Sequence, residues 1–202
     1  MGITLGSGEL RREKVDAVPL IEDTRQALAH STEAPDIVTE AWQAQALAEA
    51  VGSHLVLSGP PEVRVQAGGL REASGRACGS LRGPGQRADG ARAALLTEIH
   101  DLFAALQDLG GLLDEAGGAL VRVAIGAEEE GLYWRCIEGI DAADECGDRV
   151  AEILKRLADR PPSAPGPRAP GPRAPGRGSR AGPADTVGGR PAAREEVRGE
   201  AR

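Results

Sequence analysis

Ten apolar residues between Leu95 and Ala127 recur at steps of four and three without a slip: Leu95, Ile99, Leu102, Leu106, Leu109, Leu113, Ala116, Leu120, Val123 and Ala127. An α-helix returns a side chain to the same face about every 3.6 residues, so a spacing near 3.5 lays one continuous greasy stripe along it. A strand repeats every two residues and cannot put these side chains on one face. After Ala127 the phase resets, and a second seam follows through Tyr133, Cys136, Ile140, Ala143, Gly147, Val150, Leu154 and Leu157. Two such stripes commit the chain to helices packed on helices. One helix through the whole first seam would be long for a small domain. A break is therefore expected within 91–127, at His100–Asp101 or at Gly110–Gly111, with Asp89 or Asp101 capping a start.

The same periodicity reaches upstream. A helix is predicted over Asp16 to His30, with Leu20, Ile21, Thr24 and Leu28 on one face and Pro19 in the first turn. A second spans Pro35 to Leu57, where Ile37, Ala41, Ala44, Ala48, Val51 and Leu55 align and Asp36 favours the positive helix end. Gly59-Pro60-Pro61 stops it. A third, Glu62 to Leu81, carries Val63, Gln66, Leu70, Ala73 and Ala77 but is weakened by Gly68, Gly69, Gly75 and Gly79. The last runs from about Glu129 to Ala158, acidic at its start and basic at its end. Aromatics are limited to Trp42, Phe103, Tyr133 and Trp134, so the core must be built of Ala, Leu, Val and Ile. Small side chains let helices approach closely. The fold class expected is all-α, an antiparallel bundle of five or six helices.

Two composition changes bound that body. Residues 1–15 read as a disordered lead-in, because helical patterning begins only at Asp16. Translation from Val15, through a GTG codon, is one hypothesis, and N-terminal sequencing that finds Met1 refutes it. From Pro161 the chain becomes Pro-, Gly- and Arg-rich, with Ala-Pro-Gly-Pro-Arg at 164–168 and again at 169–173. Such a segment has too little apolar surface to offset its chain entropy. Residues 16–160 are the expected helical domain, and 161–202 a disordered low-complexity tail with P-x-x-P steps. Those steps read either as a polyproline ligand or anionic-surface tether, or as an extension without a partner.

Charge and cysteine usage narrow the setting. The chain carries −7 overall, yet the tail holds eight Arg against four carboxylates; the remaining residues therefore carry −11. Phosphate binding needs a basic face, so the body is not expected to bind nucleic acid. The most apolar stretch, Leu109 to Ala127, is interrupted by Asp114, Glu115 and Arg122, and no membrane span is expected. Residues 1–14 contain no apolar signal segment. Cys78, Cys136 and Cys146 form no CxxC pair, and ten helical residues separate the last two by roughly 15 Å, too far for a disulfide. A cytoplasmic location is expected.

No constellation for catalysis stands out. Glu138, Asp141, Glu145, Asp148 and Glu152 share a face of the final helix. A metal or cationic-ligand site is one reading, but a row opposite the apolar seam reads more simply as a solvated face. Di-iron bundles need Glu-x-x-His pairs, and none exists. His30, His54 and His100 follow no metal spacing, so no metal or other cofactor is expected. Cys78 with one of these histidines would need tertiary proximity to act as a nucleophile–base pair. Gly83 to Ala88 matches G-x-G-x-x-A on paper but follows no strand. Trp42, beside Ala41, reads as core. Tyr133 joins the seam, while Trp134 falls on the row of Glu138 and Asp141. An aromatic beside carboxylates is a contact-site candidate, against the alternative that Trp134 packs on a neighbouring element.

The segment from Asp16 to Leu157 resembles an uncharacterised actinobacterial family described only as a domain of unknown function. The resemblance rests on Leu20-Ile21-Glu22, Pro35-Asp36-Ile37, Glu40 to Ala46, Ser58-Gly59-Pro60-Pro61, Glu129-Glu130-Gly131-Leu132-Tyr133-Trp134 and Ile140 to Glu145. It implies a bacterial, cytoplasmic, helical protein, and carries no activity, cofactor or site residue. The function expected is a non-enzymatic interaction or regulatory module that binds an unknown protein partner or a second copy of itself. The alternative is a small-molecule-binding or catalytic bundle with its site near Trp134, Glu138 and Asp141. Tyr133, Trp134, Glu138 and Asp141 are the candidate contact residues, and no catalytic residue is assigned.

Overall fold

The computed structural model describes residues 15–83 and 90–159. The lead-in before Val15, the G-x-G-x-x-A match and the tail lie outside the described residues, as do the tail's disorder and its P-x-x-P steps. Five α-helices occur among the described residues: α1 (Ala17–His30), α2 (Ala34–Ser58), α3 (Arg64–Leu81), α4 (Leu102–Gly126) and α5 (Glu130–Ala158). A 3-10 turn at Pro61–Val63 leads into α3 and another at Arg92–Leu95 precedes a short strand. The fold is thus predominantly helical, as the periodicity predicted.

Helix α2 sits in the middle. Every residue from Ala41 to Ala48 is buried, including Trp42, Gln43 and Gln45. A surface helix buries one stripe, whereas a helix buried all round is enclosed by neighbours. Here those neighbours are α1, α3, α4 and the Arg92–Leu95 turn. The alanines permit the enclosure. Gly52 marks the tightest crossing: a Cβ there would stand 2.8 Å from the Arg71 backbone nitrogen and 3.0 Å from the Ala67 carbonyl oxygen. Gly139 does the same for α5, which passes between Leu81 and Leu120; a Cβ would lie 2.8 Å from a methyl of each.

Contacts between helices run in opposite numerical directions. Gly110 lies against Val150, Gly117 against Ala143 and Leu120 against Gly139 between α4 and α5. Between α3 and α5, Gly69 faces Arg149, Ser74 meets Cys146 and Leu81 meets Gly139. Between α2 and α3, Gly52 faces Arg71 and Glu49 lies over Gly75. A buried polar cluster pins three helices together. The Cys146 thiol donates to Gln45 Oε1 at 3.4 Å, and Ser74 Oγ lies 3.2 Å from the same sulfur. Among apolar neighbours these groups satisfy one another, which fixes how α2, α3 and α5 register.

The first seam departs from expectation at its start. Residues 92–98 form no α-helix; they make the 3-10 turn and a strand, β2 (Leu96–Glu98), which pairs in parallel with β1 (Val15–Asp16). The all-α expectation is corrected to that extent. The reason lies in polar contacts distant in sequence. Gln43 accepts from the Arg92 backbone N–H at 2.9 Å and donates to the Gly90 carbonyl, while Arg92 forms an ion pair with Glu40. Thr97 Oγ1 accepts from Val15 N at 2.8 Å, and Asp16 accepts from the His100 backbone N–H at 3.0 Å. Leu95 is consequently 57% exposed rather than on a seam. The break falls at His100–Asp101, where the Asp101 carboxylate caps α4 by accepting from Ala104 N at 3.0 Å. Gly110–Gly111 continues the helix. From Leu106 to Val123 the seam is buried as read, while Ala127 lies past the end of α4 and is half-buried.

Candidate functional site

In α5 the buried stripe is Cys136, Gly139, Ala143, Cys146, Val150 and Ile153. It is turned away from the seam read in the sequence, because α5 packs on α3 as well as α4 and the buried line bisects the two. Ile140, Gly147, Leu154 and Leu157 are only half-buried. Tyr133, expected on the buried seam, is 41% exposed, which corrects that placement. Trp134 is 54% exposed. The two rings meet edge to face, with centroids 5.3 Å apart and planes at 78°. The indole N–H of Trp134 donates to Glu130 Oε1 at 3.3 Å, one helical turn earlier. Edge-to-face contact and a held indole fix the pair without covering it. Half of the aromatic residues in this chain thus stand together in solvent on the first turns of α5.

The neighbouring residues open into grooves. Gly131, Leu132 and Arg135 face Pro35, Val38 and Thr39 of α2 across a cleft of 470 Å³. Leu132 also lines a second depression of 420 Å³ with Ala34, Ile37 and Val123. The N-terminal turns of α2 and α5 therefore form a furrowed, partly apolar surface beside the exposed ring pair.

Glu138 and Asp141 are exposed, one and two turns further along α5, where it faces α3. They line a shallow depression of 270 Å³ with Ala73, Arg76, Ser80 and Glu145. Arg76 bridges to Glu145 at 3.0 Å there, so cation and carboxylate already neutralise one another. Trp134 is not among its walls. Tyr133 and Trp134 thus meet ring to ring, and on the unbroken helix α5 Glu138 and Asp141 follow Trp134 one and two turns on along the same face. Among the described residues no group of three or more His, Cys, Asp or Glu side chains is placed to hold a metal ion. Among them, too, no helix is long and apolar enough to cross a membrane.

Residues 15–156 match the family described as "Family of unknown function (DUF6099)". The chain belongs to the DUF6099 family. The match covers every motif that pointed to an uncharacterised family, from Leu20 to Glu145. No curated protein and no solved structure matches the chain.

In this DUF6099 chain the cysteines offer no activated nucleophile. All three are buried and free. Burial pushes the Cys78 thiol up to about 12, with Glu49 adding to the rise and Arg82 opposing it. Burial likewise raises Cys136 and Cys146, the latter opposed in part by its bond with Ser74. Reactive thiols need the opposite shift. His100 instead sits between Asp16 at 3.5 Å and Glu98 at 3.3 Å, at the β1–β2 pair.

Proposed function

We propose that this DUF6099 protein is a non-enzymatic interaction module, an antiparallel helical bundle of the cytoplasm that docks a protein partner through the N-terminal turns of α5. The bundle reading is supported by the opposed contact ladders of α2, α3, α4 and α5. The cytoplasmic reading is supported by three free cysteines. One observation carries the functional reading: Tyr133 and Trp134 stand exposed and mutually fixed, beside the cleft lined by Pro35, Val38 and Leu132. Tyrosine and tryptophan dominate interface hot spots because they bring large apolar area with few rotors to freeze. A core that takes in Trp42 alone of the four aromatics and leaves two adjoining rings in water gains little stability from that pair. The polar surround of Glu129, Glu130 and Arg135 matches the rim such a patch needs.

The test is a photo-crosslinking residue at position 134, with position 57 as control, since Leu57 is exposed on a different helix. The module reading expects a defined adduct from 134 that 57 does not give, lost when Tyr133 is replaced by Ser. Equal or absent crosslinking from the two positions counts against it.

A further inference from the structure

A cavity of 270 Å³ lies away from the ring pair, between α2, α3 and the turn that follows Gly90, and nothing in the proposed function uses it. Its floor is Trp42, Ala46, Ala50 and Cys78; its charged walls are Glu49 and Arg82. Three features set it apart. First, the Trp42 indole N–H is buried without a hydrogen-bond partner, in a residue only 3% exposed. An orphaned buried donor is destabilising, so native folds rarely keep one. Second, Glu49 and Arg82 share the cavity, yet among the described residues neither forms a salt bridge with the other or elsewhere. Both act electrostatically on the Cys78 thiol, which lines the same cavity. Third, the remaining surface is small: Ala46 and Ala50 of α2 with Ser53 beside them, and Ala91, Ala93 and Ala94 closing one side.

We infer that this cavity is a binding site for a small zwitterion of the aliphatic amino-acid class, its carboxylate toward Arg82, its ammonium toward Glu49 and its side chain over the alanines and the Trp42 ring. A simple anion would leave Glu49 opposed, and a simple cation would leave Arg82 opposed. A neutral apolar molecule would leave both charges facing it unmatched. Only a ligand carrying both charges satisfies both walls. The guanidinium fork suits a carboxylate, and an ammonium suits a single carboxylate oxygen. The volume, at the low end for ligand pockets, fits a side chain of a few carbons and not a nucleotide.

The experiment uses the full chain in a Trp134→Phe background, where the one remaining indole N–H signal in a proton–nitrogen spectrum is that of Trp42. Valine, leucine and isoleucine are titrated to about 10 mM, the weak end of specific recognition. The N-acetyl and methyl-ester forms of each are run in parallel. The expected result is a saturable shift of the Trp42 signal with at least one free amino acid. Glu49→Gln, Arg82→Gln and each blocked ligand should weaken that binding about ten-fold, because each leaves one charge unmatched. Glu49 is half-buried and Arg82 is exposed just past the end of α3, and circular dichroism checks that the variants stay folded. The inference is overturned if no free amino acid moves the Trp42 signal. Binding that persists unchanged in the variants, or equally with the blocked forms, overturns it too. Failure here leaves the crosslinking test at position 134 untouched.

Discussion

Replacing Gly52 by Ala adds one methyl at the α2–α3 crossing and isolates the cost of close approach. Helix propensity alone favours the change by up to about 1 kcal/mol. The new Cβ, however, would meet three α3 backbone atoms, at 2.8, 3.0 and 3.1 Å. Carbon contacts are comfortable near 3.5–4.0 Å, and a backbone cannot swing aside as a side chain can. Relief requires α2 and α3 to separate along an alanine-lined interface, loosening the packing of Ala67, Leu70 and Val51. Overpacking of this kind costs about 1–3 kcal/mol, so the net effect is a loss of up to about 2 kcal/mol. Gly79→Ala is the control, because nothing lies within 4 Å of its added Cβ. There propensity acts alone, and the variant gains about 0.5–1 kcal/mol. The propensity gain is common to both, so the two identical substitutions differ by the overpacking cost, about 1–3 kcal/mol, or roughly 3–10 °C in melting temperature for a domain of this size. Urea unfolding followed by circular dichroism measures both. A Gly52→Ala protein as stable as Gly79→Ala would refute the claim that α2 and α3 touch backbone to backbone.

Other outcomes are equally specific. Asp101→Ala removes the α4 cap that accepts from Ala104 N, and should cost about 1 kcal/mol in urea unfolding; an unchanged midpoint contradicts the capping. The Asp16 carboxyl is raised by burial but pulled down further by donors from His100 and the Ala17 backbone, ending below its ordinary 3.8. Its stabilisation is therefore complete above 3.8 and lost as pH falls through the depressed value. Wild type should lose more stability than Asp16→Asn over that acid range, and parallel acid titrations would count against the contact. Because burial holds all three thiols protonated, native protein at mildly alkaline pH should resist iodoacetamide and react only after unfolding in urea. Rapid native alkylation would show a thiol that the fold does not shield.

How much of this was readable in advance depended on whether one helix or several decided each residue's fate. In α2 and α4 the apolar period itself marks the buried face, and Ile37 to Leu55 and Leu106 to Val123 are buried as the spacing says. In α5 two neighbours share the face, so the buried line runs through Gly139 and Cys146, which carry little hydropathic signal, while Tyr133 and Leu157 on the obvious seam stay partly wet. Residues 92–98 misled because Leu95 and Ile99 fit the heptad by chance, and the hydrogen bonds that hold them to Gln43 and Asp16 cross 49 and 84 positions. Trp134 was legible as an exposed ring from its place on the carboxylate row; its partnership with Tyr133 was not. The cavity of Trp42, Glu49 and Arg82 left one faint mark, a solitary carboxylate within the alanine-rich run of α2. Cys78, Arg82 and the alanines after Gly90 come from segments that only the fold brings near.

Tyr133→Ser with Trp134→Ser, measured together for stability and for partner binding, bears most directly on the role given to the ring pair. Exposed rings contribute about 1 kcal/mol or less beyond their mutual contact, so the unfolding midpoint should barely move while the adduct or complex formed by the wild-type chain disappears. A collapse in stability would make the rings packing elements. A fully retained complex would place the docking surface somewhere else.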